Sequence, residues 1–193
     1  LYERGELAKE NQLVNLANLY LLHEVPYKAA KLLDKEISAG RIEATVRNLR
    51  LLAQSWQQAQ EHEESIEPLR KAAAKSDDGD LDIRLAQAYL NLDRYAEAAK
   101  AVQSGLKKGK VRRPDTANIM LGLALFEEQK FQLARKAFAE AAKDNRSKKT
   151  AKQWMTYIDS EVKRKEALED GMKPKPKQLQ TAPDAPDAPA AQS

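Results

Sequence analysis

The chain has 193 residues, 42% apolar and 32% charged, and its 33 Lys/Arg against 29 Asp/Glu give a formal charge of +4 at neutral pH. It contains no cysteine, which excludes disulfides, thiolate nucleophiles and cysteine-ligated metal sites. No run reaches the ~18 uncharged apolar residues of a membrane-spanning helix, because Glu127, Glu128 and Lys130 break even the densest stretch, Leu121 to Asp144.

Ala, Leu, Lys, Glu and Gln dominate and glycine is scarce, so an all-α chain is expected from the residues that lose least on entering a helix. In chain order, Leu1 to Gly5 reads as the tail of a preceding helix stopped at Gly5, so residues 1–8 are expected to be the remnant of an earlier unit whose upstream neighbours lie outside this sequence. Four helical hairpins then follow, at about 9–41, 46–77, 79–110 and 115–146. Their anchors are Leu16-Ala17, Leu52-Ala53, Leu85-Ala86 and Leu121-Gly122. At a fixed distance after each comes a large apolar residue: Tyr20, Trp56, Tyr89 or Leu125. Next comes a small one (Ala29, Ser65, Ala98 or Ala134), and one helical turn later a bulky one (Leu33, Leu69, Val102 or Phe138).

Within a first helix, A, the anchor pair and the large residue share one face; in a second, B, the small and bulky residues form another stripe. Polar turns at His23-Glu24, Glu61-His62, Asp93-Arg94 and Gln129-Lys130 join A to B, and Pro26 suits the first turn of a helix B. Each hairpin leaves apolar surface uncovered and must stack on its neighbours. Pro68 falls inside the second helix B and predicts a bend near Ser65 to Pro68. Beyond the hairpins, residues 147–168 place Ala151, Trp154, Met155, Ile158 and Val162 on one face, predicting a capping helix that leaves Lys148, Lys149, Lys163, Arg164 and Lys165 in water. From Gly171 to Ser193 the Pro/Ala-rich sequence has too little apolar content to fold and favours extended conformations.

This pattern resembles the tetratricopeptide repeat (TPR) from about Lys9 to Asp144, most closely in the last unit, with Leu121, Gly122, Ala134, Phe138 and Ala141 at the family's positions. The chain departs from the family in lacking its Trp near the start of helix A, with Asn118 there in the last unit, and in lacking the closing Pro. Glu36 replaces the second small residue of the first helix B, and Ser65 replaces Ala in the second. The resemblance implies a right-handed all-α solenoid of antiparallel helix pairs, with the C-terminal capping helix at its end.

Catalytic chemistry has no positive signal. His23 and His62 lie in turns without converging partners and read as solvated. The run Asp77 to Asp82 alternates carboxylates as a calcium loop does, but counting from Asp78 the sixth and twelfth places hold Ile83 and Tyr89, so a turn between units is the better reading. Phosphate-binding loops, nucleophile elbows and HExxH pairs do not occur in the sequence. No enzyme activity, cofactor or metal is expected. Charge is uneven, net −4 over residues 1–97 and +8 over 98–193, with basic clusters at Lys107 to Arg113 and along the capping helix. Because no aromatic residues interleave these clusters, a solvated face or an acidic protein partner is favoured over nucleic acid.

In TPR solenoids, helix A residues facing away from helix B line a concave groove. Projecting the register there gives Asn11, Asn15, Asn18 and Leu22, then Arg47, Arg50, Gln54 and Gln57, then Arg84, Gln87 and Asn91, and last Ile119, Leu123 and Phe126. Amides and arginines suit an extended peptide and its carboxylates, while the last trio either takes an apolar anchor or packs on the capping helix. The carboxylate clamp of chaperone-binding TPRs is matched only by Asn18 and Arg84, with Val14, Leu51 and Asp80 in the other places, which argues against that role.

A further resemblance rests on NLANLYLLHEVPYKAAKLLDKEI, LLAQSWQQAQEHEESIEPLRKAAAKSDDGDL and KDNRSKKTAKQWMTYIDSE. These phrases are similar to gammaproteobacterial TPR proteins encoded beside ExbB–ExbD–TonB components. That likeness, over Leu1 to about Val162, implies a periplasmic accessory of TonB-dependent uptake with envelope or TonB-system partners; it carries no ligand residues. The expected function is a protein-binding scaffold. The alternatives are an assembly module of a larger complex, or an accessory domain of an enzyme whose catalytic part lies upstream, in either case compatible with a cytoplasmic location.

Overall fold

The computed structural model describes residues 7 and 9–172; the expected remnant helix at residues 1–8 and the tail from residue 173 fall outside them, Leu7 apart. The described residues form an all-α chain with no strand. Its helices are α1 (Glu10–Leu22), α2 (Pro26–Ser38), α3 (Val46–Gln58), α4 (His62–Ala74), α5 (Asp80–Leu90), α6 (Tyr95–Lys108), α7 (Pro114–Glu127), α8 (Phe131–Ala141) and α9 (Asn145–Met172). Each helix packs on the next, and the odd-numbered helices also meet along one side, α5 against α7 and α7 against α9. The result is a solenoid.

The sequence register becomes packing directly. Ala17, Ala53, Ala86 and Gly122 are buried in the A helices, as are Ala29, Ser65, Ala98 and Ala134 in the B helices, and Leu33, Leu69, Val102 and Phe138 are at most 1% exposed. Gly122 is required by its neighbour: a Cβ there would lie 2.7–2.8 Å from three atoms of the Phe138 ring. Phe138 therefore sets the close approach. Gly79 and Gly105 play the same part where the α4–α5 turn crosses the end of α6, each facing the other's carbonyl oxygen.

Every A-to-B turn has one shape. Glu24, Gln60, Asp93 and Gln129 hold positive φ of 57°, 64°, 55° and 59° at the same register position. At each, its own N–H and the next one turn back to helix A carbonyls: Glu24 and Val25 donate to Leu21 and Tyr20, and Gln129 and Lys130 to Phe126 and Leu125. This is a Schellman cap, and it occurs here without the glycine that usually marks it.

Pro68 is buried and does not end α4, which continues to Ala74; the Ser65 hydroxyl donates to the His62 carbonyl within the turn before it. Glu36, the apparent departure in the first helix B, is fully buried and bonded to the Arg41 guanidinium, one contact being Nη2 to Oε1 at 2.6 Å. That pair closes α2 onto the segment leading to α3. At the far end, α9 starts before and runs past the expected capping segment. It buries Ala151 and Ile158, with Trp154, Met155 and Val162 packed beside the main core. Lys148, Lys149, Lys163 and Arg164 are exposed, but Lys165 is only half exposed and bonds to Gln129. No helix of the described residues is long and apolar enough to cross a membrane.

Candidate functional site

The A helices present a continuous side of the solenoid, and clefts open between consecutive members. One, of about 490 Å³, lies between α1 and α3 and is lined by Glu10, Asn11, Val14, Asn15, Arg47 and Asn48. Asn48 is buried and fixed there, donating to the Glu10 carboxylate and the Glu43 carbonyl at 2.9 Å each. A second cleft, of about 430 Å³, lies between α5 and α7 and is lined by Asp80, Ile83, Arg84, Val111, Arg112, Arg113 and Thr116. Asn11 and Asp80 occupy one register position, Val14 and Ile83 another, and Asn15 and Arg84 a third. The two clefts are the same place in the repeat with changed chemistry.

Of the residues projected onto this side, Asn11, Asn15, Asn18, Arg47, Arg50, Gln54, Gln87 and Asn91 are exposed, and Gln57 and Arg84 half-buried. Gln87 donates to Asn91 at 3.0 Å, and Asn91 lies 3.4 Å from Nδ1 of His62. His62 is thus half-buried against a polar neighbour at the start of α4, instead of standing free in a turn. Leu123 and Ile119 are half-buried and pack on the main core. Phe126 reaches a third cleft, about 420 Å³, between α7 and α9, which Glu127, Gln153, Trp154 and Tyr157 complete.

The charge pattern of the arginines is selective. Arg41, Arg70, Arg94, Arg112, Arg113, Arg135, Arg146 and Arg164 all form ion pairs. Among the described residues, Arg47, Arg50 and Arg84 do not. These three project from the A helices themselves, whereas Arg112 and Arg113, which reach the α5–α7 cleft from the segment before α7, are paired. Arg84 feels Asp80, one turn before it on α5, but Asp80 is bonded to Arg112. Burial disfavours the Asp80 carboxylate; the bonds from the Arg112 backbone and side chain outweigh it and hold its pKa below the ordinary value.

The two charged clusters of the sequence prove to be partners. Asp77, Asp80 and Asp82 pair with Lys110, Arg112 and Lys108, the first and last at 2.7 Å. Lys108 also donates to the Ala73 carbonyl, and Ser104 to Asp82. The run Lys107 to Arg113 therefore meets acid within its own chain while Lys107, Lys110 and Arg112 stay exposed to water. Arg113 continues the series by pairing with the buried Asp115. Its hydrogen bonds, opposed by burial and helped by the Ser147 hydroxyl at 2.7 Å, hold the Asp115 carboxyl far below the usual range. That contact ties α9 to α7. Among the described residues no group of three or more His, Cys, Asp or Glu converges as a metal site.

Sequence reasoning missed most of the α7–α9 cleft. The sequence pattern puts Trp154 on a packing face and does not mark Tyr157, although their spacing of three puts both rings on one side of a helix.

Neither family models nor curated proteins match the chain. Solved structures do. The crystal structure of YrrB, a TPR protein with an unusual peptide-binding site, superposes with a TM-score of 0.66 at 17% identity over 86% of this chain and 84% of its own. MamA gives 0.62 at 18%, over 76% and 84%. PilF of Pseudomonas aeruginosa gives 0.60 at 18%, over 80% and 69%. The fold is the TPR solenoid. In TPR terms the clefts lie on the A-helix face, and α9 stands against α7 where the A helix of a fifth unit would stand.

Proposed function

We propose that this TPR solenoid is a non-catalytic protein-interaction scaffold whose A-helix face binds an extended partner segment bearing carboxylates. The observation that carries the reading is the segregation of arginines. The arginines elsewhere are paired, Arg112 and Arg113 at the rim of the α5–α7 cleft included, whereas Arg47, Arg50 and Arg84, which project from the A helices, are left with donors to spare. A guanidinium offers five N–H groups in a fork that fits a carboxylate, and the flanking amides of Asn11, Asn15, Asn18, Gln54 and Gln87 can bond a peptide backbone. That YrrB is described as having a peptide-binding site supports this use of the fold.

The experiment is a binding screen of capped peptides against the full chain and its R47A/R50A/R84A variant. Asp- and Glu-containing peptides should be enriched by the parent, with affinity falling as salt rises, and lost from the variant. Equal recovery by both proteins would overturn the arginine groove. The finer placement, in the periplasm as an accessory of TonB-dependent uptake, is supported by the sequence resemblance alone. Fractionation of cells expressing the natural gene checks it, with recovery in the cytosol as the refuting result.

Assembly is a second reading with its own support. Leu19 is 51% exposed, whereas Ser55, Ala88 and Ala124 at the same register position are fully buried by the preceding unit. The first hairpin thus presents a face of the kind that stacks.

A further inference from the structure

The α7–α9 cleft differs in kind from the other two. Phe126, Trp154 and Tyr157 meet pairwise with ring centroids 5.5, 5.5 and 5.8 Å apart and planes inclined at 62°, 48° and 85°. Rings so inclined turn both faces and edges toward the same space. Phe138 stacks parallel to Trp154 at 5.6 Å and so fixes the indole from behind. Glu127 lines the cleft too and is exposed, and its carboxylate forms no ion pair or hydrogen bond among the described residues, whereas that of its neighbour Glu128 pairs with Lys130 at 3.1 Å.

Negative ring faces beside an unpaired carboxylate attract a cation and repel an anion. The far edge of the same cluster already holds one: the Lys165 ammonium lies 4.9 Å from the centre of the Phe131 ring, and Phe131 touches Phe126 at 5.5 Å. We propose that the cleft seats a lysine or arginine side chain of the bound partner segment, its aliphatic stem on Trp154 and Tyr157 and its charge at Glu127. This rests on the groove reading above and deepens it, because it gives the groove two ends of opposite preference. Contacting helices lie ~8–10 Å apart, so the cleft is about one and a half such steps, or ~14 Å, to the side of Arg84, and its Phe126 lies six register positions, ~9 Å, further along the helix axis, which makes ~17 Å in all. An extended chain covers that distance in about five residues. The recognised segment therefore carries an acidic residue and a basic one about five positions apart.

The test isolates the cleft. N-acetyl-lysine methylamide and N-acetyl-norleucine methylamide share a stem and differ in charge. Each is titrated into the full chain carrying W56F, so that the single indole N–H signal in NMR is Trp154. The lysine probe should shift that signal with about fivefold tighter binding than norleucine, and E127Q should bring the ratio close to one. Equal or tighter binding of norleucine would overturn the proposal in favour of an apolar anchor, and no shift of Trp154 with lysine would overturn it outright. Neither probe carries a free carboxylate, so R47A/R50A/R84A should leave both titrations unchanged. Failure of the cleft and failure of the arginine groove are thereby told apart.

Discussion

Gly122→Ala offers the sharpest test of how this solenoid is packed. In an open helical position the change stabilises by up to ~1 kcal/mol, since alanine is the better helix former. Here the new methyl would stand 2.7–2.8 Å from Cε1, Cε2 and Cζ of Phe138, against the ~3.5–4 Å of an ordinary carbon contact. The ring must yield by roughly 1 Å. It has little room to do so, because Phe138 is fully buried and stacked on Trp154, which itself touches Phe126 and Tyr157. Overpacking costs ~1–3 kcal/mol, and the confined ring puts this site in the upper half of that range, so after the propensity gain the variant should be destabilised by about 1–2 kcal/mol.

Shrinking the obstacle should reverse the effect. F138L alone loses contacts, but F138L combined with G122A should be more stable than the sum of the two changes by at least about 1 kcal/mol. Urea unfolding followed by Trp154 emission in a W56F background reads the C-terminal units separately, which matters because solenoids can unfold in parts. A stabilised G122A, or additive free energies in the double variant, would refute the assignment of Gly122 as a contact point set by Phe138.

Other outcomes follow from the same geometry. Asp115→Asn keeps the shape but removes the charge bonded to Arg113 and Ser147, and should cost about 2 kcal/mol at neutral pH. The Asp115 pKa is lowered on folding, so its contribution is complete above the ordinary carboxylate value near ~4 and is lost as pH falls toward the depressed folded value. The stability gap between parent and D115N should therefore be flat from neutral pH down to that point and shrink below it; a gap that widened in acid would sink the assignment. Gln60→Gly and Gln129→Gly relieve a left-handed residue of its Cβ and should each raise the urea midpoint, by ~0.5–1 kcal/mol in stability. A fall in either would mean that the side chain contributes more than the strain costs.

The periodicity was enough to find which small and bulky residues meet, because burial in a repeat is local: Ala29 and Leu33 lie one turn apart on the same helix. The A-helix face was legible for the same reason, and Arg47, Arg50 and Arg84 came out of the register alone. What escaped is non-local. The pairing of Asp77, Asp80 and Asp82 with Lys110, Arg112 and Lys108 joins turns about thirty residues apart, and neither cluster announces the other. Glu36 looked like a flaw in the pattern until Arg41 folded back onto it. The Schellman turns carry Glu, Gln, Asp and Gln where a glycine would have given them away. The aromatic cleft depends on how α9 is rotated against α7, which a single amphipathic face leaves open.

The arginines allow stability and binding to be separated by experiment. Arg113 anchors a buried carboxylate, so its loss should be felt throughout the fourth unit. Arg47 and Arg50 are exposed and partnerless among the described residues, and the carboxylate nearest Arg84 is already neutralised by Arg112. Substituting each of the three by alanine should change stability by no more than about 0.5 kcal/mol, the ordinary range for surface positions away from special features. If the A-helix face binds carboxylates, the same substitutions abolish binding by a protein that melts where the parent melts. A triple variant that unfolded early would show these side chains to be structural, and the contrast between paired and unpaired arginines would lose its functional meaning. Equal melting with lost binding is the result that a groove built for a ligand requires.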